Sequence, residues 1–189
     1  MVSIASEGTP GNYDVTAVTY NGISLTKAVE NTVGSSFFMN TEIWYLLDAS
    51  LPSAGTYTVS VAVSGTPSDI NAGAVSVTGA AQRAPEAIAA SDDNETGAGS
   101  IQTGITTLTD GAWVFDCVGS GNSITFTQDA DQAEFYEQMG TTSAGAGSYE
   151  KKSTAGLETQ GWTADTASNR LSHVLAAFAP AAIELDSIS

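Results

Sequence analysis

One imidazole and one thiol, His173 and Cys117, bound the nucleophilic chemistry available to this sequence. Acyl transfer needs a base held against a hydroxyl or thiol. His173 stands inside Leu171 to Pro180, the most apolar run of the chain. A histidine there is expected to be satisfied by its neighbours rather than poised as a general base. Cys117 sits in the strand-like run Ala112-Trp-Val-Phe-Asp-Cys-Val118 and reads as a small buried hydrophobe. The clusters of His and Cys that zinc and other transition metals require do not occur. Oxygen ligands are more plentiful. Asp92, Asp93, Asn94 and Glu95 follow one another in a Gly-flanked loop. Calcium takes about six to eight oxygens, so Asp92, Asp93 and Glu95 are the candidate metal ligands. The loop lacks the EF-hand spacing and glycine, and a solvated acidic loop is the alternative. Asp129, Asp131 and Glu134 make a second acidic cluster. No cofactor is expected other than calcium at the Asp92 to Glu95 loop.

Glycoside hydrolysis needs two carboxylates at a set separation. Among 21 acids some pair is bound to arise, so the sequence does not single one out. Asn94-Glu-Thr96 matches the N-glycosylation pattern, without a secretory signal beside it. The aromatics Trp44, Tyr45, Trp113, Trp162 and Phe178 fall inside predicted strands and are expected in the core. Trp162, near a strand end, is the candidate for stacking on a sugar ring. The chemistry as a whole points away from an enzyme.

The elements that must position these residues are strands. Gly, Ser, Thr and Ala dominate the composition, which suits short strands and tight turns. Leu171 to Pro180 is too short to span a membrane and reads as a strand buried on both faces. Such a strand belongs in the middle of a sheet, packed against another layer. Asp14 to Tyr20, then Asn21-Gly22, then Ile23 to Leu25 predict a two-residue type I′ hairpin. Ser36 to Leu47 predicts a long strand, bulged near Asn40, with Ile43 and Tyr45 on one face and Trp44 and Leu46 on the other. Thr56 to Ser64 alternates as a half-buried strand, and Gly73 to Gly79 is a further short one. Ala80 to Ser100 reads as a loop with at most one helical turn at Pro85 to Ala90. Asp110-Gly111 predicts a hairpin joining Ile101–Leu108 to Trp113–Val118. Asp129 to Met139 is the candidate helix, with an irregular loop as the equal alternative. Pro180 to Ser189 is a tail with Ile183, Leu185 and Ile188 as candidate interface residues. The sum is an all-β fold, an antiparallel β-sandwich, jelly-roll-like, of about ten to twelve short strands. One domain is expected over residues 1–180, with 181–189 as a C-terminal tail that can act as a pairing strand.

The formal charge of −16, with five cationic side chains, repels phosphate backbones and anionic lipid. Nucleic acid and membrane are therefore not expected partners.

Several segments together resemble a jelly-roll-type β-sandwich domain of phage structural proteins and bacterial surface proteins. They are Val15-Thr-Ala-Val-Thr-Tyr-Asn-Gly-Ile-Ser-Leu25, Glu42-Ile-Trp-Tyr-Leu46, Ala54-Gly-Thr-Tyr-Thr-Val-Ser-Val61, Val75-Ser-Val-Thr-Gly79 and His173-Val-Leu-Ala-Ala-Phe-Ala-Pro180. Such domains carry one or two further strands before the first segment, whereas 14 residues precede Val15. Either a short first strand lies at Val2 to Ala5, or a sheet edge stands open for another chain. The resemblance implies a virion protein, a capsid decoration or fibre subunit, located at the virion surface or outside the cell. Its expected partners are copies of itself, as in a trimer, and capsid or other virion proteins. A carbohydrate-binding or adhesion module for a cell-surface glycan is the alternative.

Overall fold

Turn chemistry and alternation fix the local structure. Asn21 and Gly22 adopt φ of 51° and 77°, as a type I′ turn requires, and the flanking residues Tyr20 and Ile23 pair. The computed structural model describes residues 1–182. It contains fifteen strands and one 3-10 turn, Asp48–Ser50. In chain order the first seven strands are β1 (Val2–Gly8), β2 (Val15–Tyr20), β3 (Ile23–Ser24), β4 (Thr26–Gly34), β5 (Phe38–Tyr45), β6 (Val59–Val63) and β7 (Asp69–Ala74). Then come β8 (Ala87–Asp92), β9 (Ser100–Thr107), β10 (Ala112–Ser120) and β11 (Phe126–Gln128). The last four are β12 (Ala133–Met139), β13 (Ala144–Lys152), β14 (Gly156–Ala164) and β15 (Leu171–Phe178).

The strands pair antiparallel throughout, into four sheets. Sheet I is β3-β2-β6 and sheet II is β4-β5-β1-β7. Sheet III is β12-β13-β10-β15-β8 and sheet IV is β11-β14-β9. They stack in that order. Val2, Ile4 and Trp44 of sheet II pack on Val15 and Val18 of sheet I. The other face of sheet II, through Val29 and Ile43, meets Phe115, Cys117, Val174 and Phe178 of sheet III. The far face of sheet III, through Val118 and Leu171, meets Ile101, Phe126 and Trp162 of sheet IV. The N-terminal half of the chain thus builds one sandwich, the C-terminal half another, and sheets II and III press the two together.

That arrangement explains why β15 is apolar on both faces. Ser172, Val174, Ala176 and Phe178 look toward sheet II, while Leu171, His173, Leu175 and Ala177 look toward sheet IV. β15 pairs on one side with β10 and on the other with β8. Small residues let sheets II and III approach closely. A Cβ at Gly119 would meet Met39 Sδ at 2.6 Å, Thr41 Cγ2 at 2.9 Å and the Ala5 methyl at 3.0 Å. A buried ion pair, Arg170 to Glu7 at 2.6 Å, ties the start of β15 to β1.

Several expectations need correction. Among the described residues there are fifteen strands, because short pieces such as β3 and β11 add to the count. The segment Pro85 to Ala90 holds no helical turn: Ala87–Asp92 is β8, drawn into strand by its ladder to β15. Asp129 to Met139 is not helical, and its second half is the edge strand β12 on β13. Asp110-Gly111 is a turn but not a hairpin: β9 pairs with β14 in sheet IV, while β10 pairs with β13 and β15 in sheet III. The chain crosses between layers there. The bulge lies in β4, between Lys27 and Val29, rather than at Asn40. The strand expected at Gly73 to Gly79 ends at Ala74. The short first piece extends to Gly8 and lies inside sheet II, paired with β5 and β7. Among the described residues no helix is long and apolar enough to cross a membrane.

Candidate functional site

Asp116 is the one acid of β10 and His173 the one imidazole of β15, both in strands that are mostly apolar. Both point between sheets III and IV, and both are fully buried. His173 Nε2 lies 3.2 Å from Asp116 Oδ2, and its Nδ1 lies 2.9 Å from the Thr103 hydroxyl of β9. That hydroxyl touches the Ser91 hydroxyl of β8. Carboxylate, imidazole and hydroxyl in this order are the parts of a nucleophilic triad. Their burial denies them that use: Thr103 is 4% exposed and His173 is closed off from solvent. Asp116 instead gathers donors from all sides. The Ser148 N–H (2.5 Å), the Trp162 indole (2.7 Å) and the Gln132 amide (2.9 Å) all donate to it. Gln132 also accepts from the Gly161 N–H at 2.7 Å. The cluster ties β10, β13 and β15 of sheet III to β9 and β14 of sheet IV. Buried polar groups satisfied in this way fix how layers meet.

Among the described residues an open pocket lies at one end of the stack. A pocket of about 570 Å³ lies where the segment after β7 crosses sheets I to III. Phe115, Phe178, Tyr45 and Val77 line it, with Leu51 and Gln82 at its margin. Leu51 belongs to the loop after β5, which the 3-10 turn folds and the Asp48 N–H fastens to Gln82 Oε1 at 2.6 Å. Walls of this kind accept aliphatic or aromatic groups.

The outer faces of the stack carry another signal. On sheet IV the outward residues of β9 and β14 include Gln102, Gly104, Thr106, Leu157, Thr159 and Thr163, none of them charged. Leu157 and Leu108, just past β9, are 69% and 68% exposed. Sheet I presents Thr16, Ser24, Ser60 and Ala62, also uncharged. One carboxylate, Asp129, leans over Gly161 from the loop after β11, held by Gln102 at 3.2 Å.

The expected site residues fall elsewhere. Trp162 is 1% exposed, edge-on to Phe126, with its indole spent on Asp116. It is closed to a sugar ring, because it is buried in the core between sheets III and IV. Asp92, Asp93 and Glu95 are not brought together as a metal shell. Asp92 accepts from the Asn94 N–H at 3.0 Å, and Asp93 from the N–H groups of Glu95, Leu171 and Ala98. Glu95 turns to Ser35 at 3.3 Å. The carboxylates hold the loop's own backbone, the usual role of Asp in tight turns. Among the described residues no three His, Cys, Asp or Glu side chains meet in a way that could hold a metal ion. Ile183, Leu185 and Ile188 lie outside the described residues. Cys117 is buried, and burial pushes its thiol up to about 12, which keeps it protonated and inert. Asp116 was the residue sequence reasoning passed over. Its signal was a charge alone in an apolar strand, which must find donors across a layer. No protein-family model, curated protein or solved structure matches the chain.

Proposed function

We propose that this chain is a non-enzymatic structural subunit of a virus particle, a capsid decoration or fibre protein. It assembles with copies of itself, as in a trimer, and with capsid proteins, through apolar contact and strand pairing at the virion surface. The observation that carries the reading is the uncharged outer face of sheet IV, with Leu108 and Leu157 exposed on it, on a chain of charge −16. Like charges on the rims oppose close approach of two copies, and a neutral face is where they can meet. The order of strands that resembles phage structural domains supports the same reading. The carbohydrate-binding alternative loses its stacking residue with the burial of Trp162.

The test is the solution mass by light scattering at low and at high salt. The expected result is an oligomer that persists when salt screens the charge and dissociates in Leu157→Asp. A monomer at both salts, unchanged by that substitution, overturns the reading.

A further inference from the structure

We propose that two copies of this chain pair through strand β6, antiparallel about a two-fold axis at Val61, so that two copies of sheet I become one. β6 is an edge of sheet I and pairs on one side with β2. On that side the Thr58 carbonyl accepts from the Asn21 N–H at 3.1 Å, and the Ser64 N–H donates to the Asp14 carbonyl at 2.9 Å. The Ala62 carbonyl, which accepts from the Thr16 hydroxyl at 3.2 Å, turns the same way. Backbone direction alternates along a strand, so the N–H and C=O groups of Val59, Val61 and Val63 turn away from β2. Among the described residues nothing pairs with them. The other sheet edges are guarded. β4 and β12 are bulged and charged, with Lys27 and Glu30 on the first and Glu134 and Glu137 on the second. β3 and β11 have only two and three residues. Edges β7, β8 and β9 bond across the layers: the Ala72 N–H to Gln138 at 3.4 Å, the Ser91 carbonyl to the Asn31 amide at 3.2 Å, and the Gln102 carbonyl to the Ser91 hydroxyl at 3.3 Å. β6 has neither charge nor proline, and the bulge of its pair falls in β2. An edge left in this state is a template for another strand.

The occupant that fits is a second copy. From Ala49 to Ser68 no residue is charged, on a chain of charge −16, so a copy can approach here without setting acid against acid. The strand is also nearly its own reverse: Thr58-Val-Ser-Val-Ala-Val-Ser64. Centred on Val61, antiparallel pairing sets Val61 against the partner's Val61, Val59 against the partner's Val63, and Ser60 against the partner's Ala62. The outward backbone groups of the valines then bond to one another. The valine side chains continue the half-buried face that packs on sheet II, and the small exposed residues Ser60 and Ala62 meet on the other face. One patch serves both copies, as a two-fold interface requires. This pairing gives the self-assembly of the structural subunit a named edge, and it rests on that reading. Sheets I and IV are opposite outer layers, so a copy held at β6 leaves Leu108 and Leu157 open to a different contact.

The test mixes full-length Ser60→Cys with full-length Ala62→Cys under reducing conditions and then oxidises mildly. Opposed residues of a non-hydrogen-bonded pair have Cα atoms about 4.5 Å apart, within disulfide reach. Like positions lie on the diagonal, about 7–8 Å apart. Cys117, buried, stays out of the exchange. The expected result is a disulfide-linked dimer in the mixture and little in either variant alone. No dimer in the mixture, or as much dimer in each variant alone, overturns the proposal. Val61→Pro, added to both variants, removes an N–H that β2 does not use, so the ladder to β2 is kept. The cross-link is expected to be lost, and an undiminished cross-link overturns the proposal. Leu157→Asp, on the opposite layer, separates the two claims. A solution mass that falls with Leu157→Asp while the mixture gives no cross-link overturns the β6 pairing and leaves the structural-subunit reading. A cross-link that forms while the mass ignores Leu157→Asp supports the β6 pairing and removes the sheet IV face.

Discussion

Each sandwich buries one carboxylate against a tryptophan indole, and the two do so in different ways. Between sheets I and II, Glu42 accepts from the Trp44 indole at 2.5 Å, the Asn40 amide at 2.7 Å and Lys27 at 3.2 Å. All three partners stand on β4 or β5, so the cluster stays within one sheet. Lys27 is part exposed and shares its charge with Glu30. Between sheets III and IV, Asp116 has no lysine or arginine beside it: it takes a backbone N–H, an indole, an amide and an imidazole from four other segments. Glu42 is a local arrangement that a rim lysine balances. Asp116 is the joint that sets sheet IV on sheet III. A buried charge held by many donors stabilises a particular geometry rather than the fold in general.

The comparison breaks most sharply at Asp116. Asp116→Ala leaves several buried donors without a partner, and the expected loss is about 3–5 kcal/mol, read by urea unfolding. A loss below about 1 kcal/mol would reduce the cluster to the rank of a surface contact. Trp162→Phe keeps the ring and removes the N–H, for an expected loss of about 1.5–3 kcal/mol. Combined with Asp116→Asn it should show coupling, since both changes act on one bond. Strict additivity would deny that bond its weight. Lys27→Met is expected to cost less, about 1 kcal/mol, because Lys27 is part solvated and Glu42 keeps two other donors. A larger loss than that of Trp162→Phe would invert the contrast between the two clusters.

The same contrast shows what a sequence can tell. The apolar run at Leu171 to Pro180 and the Asn21-Gly22 turn were legible because each is decided locally, by hydropathy and by φ. The facing of Ile43 and Tyr45 against Trp44 and Leu46 followed from period-2 alternation. β8 was not legible, because Ala87-Ile-Ala-Ala90 has little strand preference and is a strand by virtue of its partner β15. β12 misled similarly: its composition admits helix, and the ladder to β13 decides. Asp110-Gly111 gave the turn but not the destination, since sheet membership is set by partners roughly 24 to 63 residues away. The candidate site residues failed for a related reason. Trp162, Asp92 and Asp93 were read as available to ligands, yet their polar atoms are claimed by backbone and side chains distant in sequence.

The finest distinction between the clusters is their response to pH. Burial raises the Glu42 carboxyl above its ordinary value of 4.5, and Lys27, Trp44 and Asn40 only partly offset it. The folded chain thus holds this proton more tightly than the unfolded chain does. Between the ordinary value and the raised one, the folded state carries more protons, so folding stability falls as pH rises through that window. The contribution is fully present below 4.5 and lost above the raised value. Glu42→Gln should therefore be nearly neutral in stability at pH 7, where the variant escapes burying a charge. As the pH is lowered from neutral toward 4.5, the unaltered chain should gain on the variant. Urea midpoints of the two proteins across that range measure the difference. A gap that stays constant would mean that Glu42 is held ionised throughout by Lys27, and that the rim lysine offsets the burial of its carboxylate in full.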